Sequence, residues 1–177
     1  MEYDFDVDYF EYNKICYHGH KREVIDKTIE RGRFNLSDED WEYLGTGVYF
    51  FEEDIQQAIS WCTRVKNYED WSIIKSRIKA EKLLDFVNTN HFNELKSFVK
   101  KVRTRYRSIG GLKQVNTKLI FDILYELEPY DVIRHAFCVG EDPENIYPTP
   151  ITRMQIQVCV RNQDCIRYIE EVETNGC

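Results

Sequence analysis

The sequence predicts an α+β domain, a mixed β-sheet with flanking helices and a helical insertion around residues 89–128. Three observations carry this. Ile74, Ser76, Ile78 and Ala80 alternate with Lys75, Arg77, Lys79 and Glu81, the period-2 pattern of a half-exposed strand. Leu44-Gly45-Thr46-Gly47-Val48-Tyr49-Phe50-Phe51 reads as a turn feeding a short buried strand, followed by an acid-opened helix. Between two groups of strand-like segments lie two apolar stripes at helical spacing, Phe92, Leu95, Val99, Val102, Tyr106 and then Val115, Leu119, Ile123, Leu127. Each stripe has one face to bury, so the pair packs on a sheet and does not form a second domain. The 177 residues, 42% hydrophobic and 14% aromatic, suffice for one core, a single domain over 1–177.

Taken in order, residues 1–12 form an acidic arm in which aromatics are interspersed, either frayed or docking a partner. Ile15-Cys16-Tyr17 is a strand ending at His18-Gly19-His20, where glycine suggests a backbone kink. Val24, Ile25, Thr28 and Ile29 follow helical spacing, and Gly32 stops that helix. Ser37 is placed to cap a short helical turn before the glycine pair. Gly45 and Gly47 permit positive φ and close approach of backbone N–H groups to a ligand, while Tyr49 is either a ligand-facing ring or ordinary core. Asp54, or a glutamate before it, caps a helix over 54–65 that buries Ile55, Ala58, Ile59 and Cys62, with Trp61 beside the stripe. Gly110-Gly111 separates the two inserted helices, and Glu128-Pro129 ends the second. Strands follow at 132–139, at 154–160 after the Pro148 and Pro150 loop, and at 165–169. In the middle one, Gln155 and Gln157 share a face with Cys159, a polar strip either lining a cleft or lying at a surface. His91 and His135 read as structural.

Composition narrows the function classes. The longest apolar runs fall short of the ~18 residues that span a membrane, and the acidic N-terminus is unlike a signal peptide, so a cytoplasmic location is expected. Six cysteines lack any Cys-x-x-Cys spacing, which argues for free buried thiols and against a metal site. The formal charge is −7, yet residues 96–118 carry Lys96, Lys100, Lys101, Arg103, Arg105, Arg107, Lys113 and Lys118 and no acid. That segment is either a solvated helix face or a surface for phosphates or an acidic partner.

Three pieces in order, Tyr17-His18-Gly19, then Gly45-Thr46-Gly47-Val48-Tyr49-Phe50, then Gln155-Ile156-Gln157-Val158 on a late strand, resemble the ADP-ribosyltransferases of the diphtheria-toxin and poly(ADP-ribose) polymerase type. Their signature is His, Tyr and usually Glu on three strands. The similarity covers residues 13–66 and 152–170. It implies the family's split mixed sheet and NAD as co-substrate. By resemblance, His18 bonds the adenosine-side ribose, Gly19 presents its N–H and C=O to the nicotinamide carboxamide, and Tyr49 stacks on the ring. Trp61 lies, with a one-residue shift, where relatives place a second aromatic. Gln155 takes the third position, and Gln157 on the same face is the second choice. With Gln for Glu there is no general base, so the expected activity is a single transfer to a nucleophilic macromolecule. The basic 96–118 segment tips the acceptor toward RNA over protein. Small enzymes of this type resemble toxins or phage-defence effectors restrained by an inhibitory antitoxin or regulator. The alternative readings are a catalytically inactive NAD- or partner-binding module and a tRNA 2′-phosphotransferase-like enzyme.

Overall fold

The computed structural model describes residues 5, 7–39, 42–108, 116–141 and 152–175. Within them the order is β1 (Phe10–Lys21), α1 (Arg22–Arg31), β2 (Val48–Glu52), α2 (Ile55–Ser60), β3 (Trp71–Asp85), α3 (Thr89–Ser108), α4 (Thr117–Leu127), β4 (Val132–Glu141), β5 (Thr152–Val160) and β6 (Glu170–Thr174). A π-helical turn, Trp61–Val65, extends α2. The Gly110-Gly111 break, Val115, Lys113 and the Pro148 and Pro150 loop lie outside the described residues, as do residues 1–4 of the acidic arm.

The α+β reading holds, with one mixed six-stranded sheet. Its order is β1-β2-β5-β4-β3-β6, and β1 also pairs β3, so the first five strands close a circuit. β3 and β4 are parallel; the other pairings are antiparallel. The long strands make closure possible. β3 holds β1 from Trp71 to Leu83 on one edge, and on the other it meets β6 near Ile73 and β4 near Leu84.

Tyr12, Cys16, Phe50, Ile74, Ile78, Val132, Val158 and Val160 fill the inside of the circuit. On its outer face, Phe98 and Val102 of α3 and Ile120, Phe121 and Leu124 of α4 pack against Leu84, Ile133 and Cys159. α2 covers a separate patch around Phe51, Ala58 and Ile73. A buried ion cluster ties four strands: Arg134 binds both oxygens of Glu52 (2.7 and 3.0 Å) and both of Asp85 (3.1 and 3.2 Å), and the Tyr12 hydroxyl donates to Glu52 at 2.8 Å.

Several elements depart from the sequence reading. β1 starts at Phe10 and runs straight through Gly19, so there is no kink; Gly19 is there because α2 lies against it. The arm is partly core: Phe5 is buried edge-on to Phe98, and the Tyr9 hydroxyl donates to Glu128 at 3.2 Å. Among the described residues Ser37 caps no helix; its backbone bridges Gly47, and its hydroxyl donates to Glu42. In α3 the buried positions are His91, Phe98 and Val102, while Phe92 is 40% exposed; in α4 they are Ile120, Phe121 and Leu124. Leu95, Val99, Tyr106, Ile123 and Leu127 of the expected stripes pack partly buried against the same cluster. The last strand is Glu170–Thr174, while Cys165 sits in a 3-10 turn and Ile166 only bridges Ile78. The two other helix ends behave as expected: Asp54 accepts from the Gln56 and Gln57 amides, and Gly32 takes φ 64°.

Candidate functional site: a fork between two strands

β1 and β2 pair only at Cys16–Glu52 and Tyr17–Phe51, and then part. The Glu53 amide donates to the Ile15 carbonyl, so the backbone groups of Ile15, Tyr17 and Gly19 point toward β2. Those of the even-numbered residues point toward β3, as the bond from the Arg22 amide to the Asp70 carbonyl shows. Continued by two residues, the ladder would set Gly19 opposite Tyr49. Instead the Tyr49 carbonyl is taken by His18, whose Nδ1–H donates to it at 2.7 Å. Gly19 therefore turns its N–H and C=O into the opening, with no backbone partner among the described residues.

The His18 ring is wedged at the base of this fork, 5.2 Å from Phe34 and 5.6 Å from Phe50 between centroids. Phe34 is itself pinned by a reciprocal pair: its amide donates to Gln163 Oε1 and its carbonyl accepts from Nε2, each at 3.0 Å. Burial pushes the His18 pKa down to about 4, so the imidazole is neutral at physiological pH. With Nδ1 carrying the proton, Nε2 holds a lone pair that accepts from a hydroxyl. Among the described residues nothing bonds it.

Strand alternation sorts the remaining side chains. Tyr17, Gly19, Tyr49, Phe51, Gln157 and His135 share one face, since Phe51 pairs Gln157 and Gln157 pairs His135. The Trp61 ring stands 6.4 Å from Phe51 on that face, with Lys66 Nζ 4.9 Å above it. Gly19 is obligatory in this packing: a Cβ would lie 2.6 Å from Cys62 Sγ and 2.8 Å from the Ala58 carbonyl.

The Gly-Thr-Gly turn behaves differently from its sequence reading. Its amides are spent internally: Thr46 N–H donates to Asp122 (3.1 Å), Gly47 N–H to the Ser37 carbonyl (3.1 Å) and Leu44 N–H to the Tyr49 hydroxyl (3.0 Å). Gly45, at φ 83°, lets the turn press on α4, and a Cβ on Gly47 would lie 2.3 Å from Cys159 Sγ. The glycines thus serve close packing and not ligand approach. Tyr49 is held by the same turn, its hydroxyl donating to the Gly45 carbonyl at 2.6 Å. Burial raises that phenol's pKa, which keeps it protonated and out of acid–base work. Asp122 completes the clamp by receiving Lys118 (2.9 Å) and Arg161 (2.8 Å).

The His18 ring and the Tyr49 carbonyl thus meet beside Gly19, but that ring projects among Phe34 and Phe50 on the inner face, opposite the face that carries the Tyr49, Trp61 and Gln157 side chains. Gln155 stands farther off. Cys159 is opposite Tyr49, so Gln157 lies two residues, ~7 Å, along β5 from that position and Gln155 four residues, ~13 Å. Sequence reading missed Phe34, Gln163 and Asp122, whose contacts Phe34–Gln163 and Thr46–Asp122 join segments 129 and 76 residues apart and leave no local signal. Among the described residues no group of three or more His, Cys, Asp or Glu is placed to hold a metal ion.

No protein-family model matches the chain, and no solved structure does. It is similar to an uncharacterized protein, MJ0359, of Methanocaldococcus jannaschii, 24% identical over 87% of this chain and 85% of that one. Among the described residues no helix is long and apolar enough to cross a membrane.

Proposed function

We propose that this chain is a mono-ADP-ribosyltransferase that moves ADP-ribose from NAD to a macromolecular acceptor. One observation carries the reading: the ladder between β1 and β2 is interrupted by a histidine side chain, so one glycine turns a donor and an acceptor outward together. A primary carboxamide is the complement of that pair, its NH₂ donating to the Gly19 carbonyl and its C=O accepting from the Gly19 amide. The nicotinamide of NAD is such a group. His18 Nε2 is set to accept from a ribose hydroxyl, Phe51 and Trp61 supply apolar faces, and Tyr49 flanks the ring as the family resemblance implies.

Transfer breaks the bond between the ribose anomeric carbon and the nicotinamide nitrogen, which keeps the electron pair. The acceptor's lone pair forms the new bond to that carbon, and its proton passes to water. The reacting carbon gains oxocarbenium character, so contacts to the ribose that strengthen in the transition state raise the rate. Gln157, nearer the fork than Gln155, is the better placed to accept from a ribose hydroxyl through its amide oxygen. An amide abstracts no proton, which limits the acceptor to groups already nucleophilic. An activity of this kind suits a toxin or phage-defence effector kept in check by an inhibitory protein.

The test is incubation with adenylate-labelled NAD in the presence of RNA, DNA and protein. Label is expected in a macromolecule, falling about 10²- to 10³-fold in His18→Ala and Gln157→Ala, on the scale of one positioned transition-state contact. Gln155→Ala is expected to stay close to wild type. Equal labelling by all variants sinks the site. A second reading, an NAD-binding module without turnover, is favoured by the amides at both 155 and 157; binding with unchanged NAD would select it. A cyclic phosphate of ADP-ribose would select the phosphotransferase reading.

A further inference from the structure

The face of the sheet that carries Gln157 does not end at the fork. Gln157 pairs His135 and Gln155 pairs Phe137 on β4, so a row of side chains continues outward. His135 lies edge-on to Phe137 (4.8 Å) and parallel to Phe92 of α3 (6.5 Å, 7°). Phe137 in turn tilts against Tyr43 at 5.9 Å. The outermost rings are open to solvent, Phe92 at 40% and Tyr43 at 64% exposure. Four rings therefore pave a path from the fork, with two half-buried amides along its inner edge.

On its α3 side the path is flanked by positive charge, while Glu42 adjoins Tyr43 at its other end. Lys96 Nζ sits 5.0 Å over the Phe92 ring. Phe92, Lys96, Lys100 and Arg103 recur at steps of four, four and three, so they form one stripe of α3, and the three cations are exposed. From Lys96 to Ile120 the chain has no acidic residue.

We infer that this surface binds single-stranded nucleic acid and delivers an unpaired base to the fork. Bases stack on aromatic faces whatever their identity, and a row of cations tracks the phosphates. A duplex keeps its bases stacked on each other and offers none to these rings. The delivery step rests on the transferase reading above; strand binding does not need it.

The experiment is fluorescence anisotropy without NAD, at about 50 mM salt, using a labelled oligonucleotide of roughly 12 nucleotides. It is run as RNA, as DNA and as duplex, with poly-glutamate as the acidic-protein competitor. Single strands are expected to bind, with the RNA and DNA arms telling the two sources apart. Phe92→Ala with Tyr43→Ala is expected to weaken binding about 10-fold or more. Lys96→Glu with Lys100→Glu and Arg103→Glu is expected to weaken it further and to reduce the slope of log affinity against log salt by roughly three. All five positions are exposed, so the variants are expected to melt as wild type. His18→Ala is expected to bind the strand unchanged, which separates this inference from the NAD site. Unaltered affinity in both sets of variants, or duplex or poly-glutamate binding as tight as single strand, would overturn it.

Discussion

At the scale of single residues, His18 and Gly19 are neighbours with different constraints, one a buried ring and the other a position with no room for a Cβ. Burial holds the His18 pKa near 4, below its ordinary 6.5, so the neutral ring contributes fully above about pH 6.5 and that contribution is lost as pH falls toward 4. Urea unfolding of wild type is expected to weaken more steeply between pH 6.5 and 4 than that of His18→Gln, which does not titrate; parallel profiles would contradict the burial. Gly19→Ala forces a methyl against Cys62 and the Ala58 carbonyl, an overpacking expected to cost about 1 to 3 kcal/mol by denaturant titration. Sequence alone singled out His18-Gly19 through its resemblance to a known motif, but not how the two are placed. Strand register decides that, and the β1–β2 pairing stops after two residues for reasons no local pattern carries. His91, read as structural from its place at a helix start, is buried, accepting the Asp85 amide at Nδ1 and donating from Nε2 to the Asp8 carbonyl.

At the scale of elements, the tightly patterned strands were the most legible. The alternation of Ile74, Ser76, Ile78 and Ala80 with charged residues maps directly onto buried and outward positions of β3. Helix faces were less so, because Phe92 and Phe98 satisfy the same spacing and only the packed sheet selects Phe98. Within the basic segment, Lys118 is the exception: it is paired with Asp38 and Asp122, 2.8 and 2.9 Å away, and serves the turn. Removing the clamp should release that turn. Asp122→Ala is expected to speed hydrogen exchange at the Thr46 amide while exchange in β3 stays slow. The ion cluster of Arg134, Glu52 and Asp85 is a harsher test. Glu52 is only 8% exposed, and Arg134→Leu would strand its charge, with an expected loss of about 3 to 5 kcal/mol in urea unfolding.

At the scale of the molecule, the circuit of pairings joins the first strand to the last third of the chain, so no sheet half can leave without breaking the other. Unfolding is expected to be a single transition, with tryptophan fluorescence and far-ultraviolet circular dichroism coinciding. Separated transitions would mean that α3 and α4 melt independently. The parted strands have one more consequence, which concerns neighbouring molecules. Bare strand edges invite a second chain to zip alongside and seed aggregation. Here the imidazole of His18 and the Ser37 bridge occupy the β2 edge at Tyr49 and Gly47, leaving a notch too short for another polypeptide to extend into. At this stretch of β2, then, the backbone offers a second chain no continuous ladder to extend.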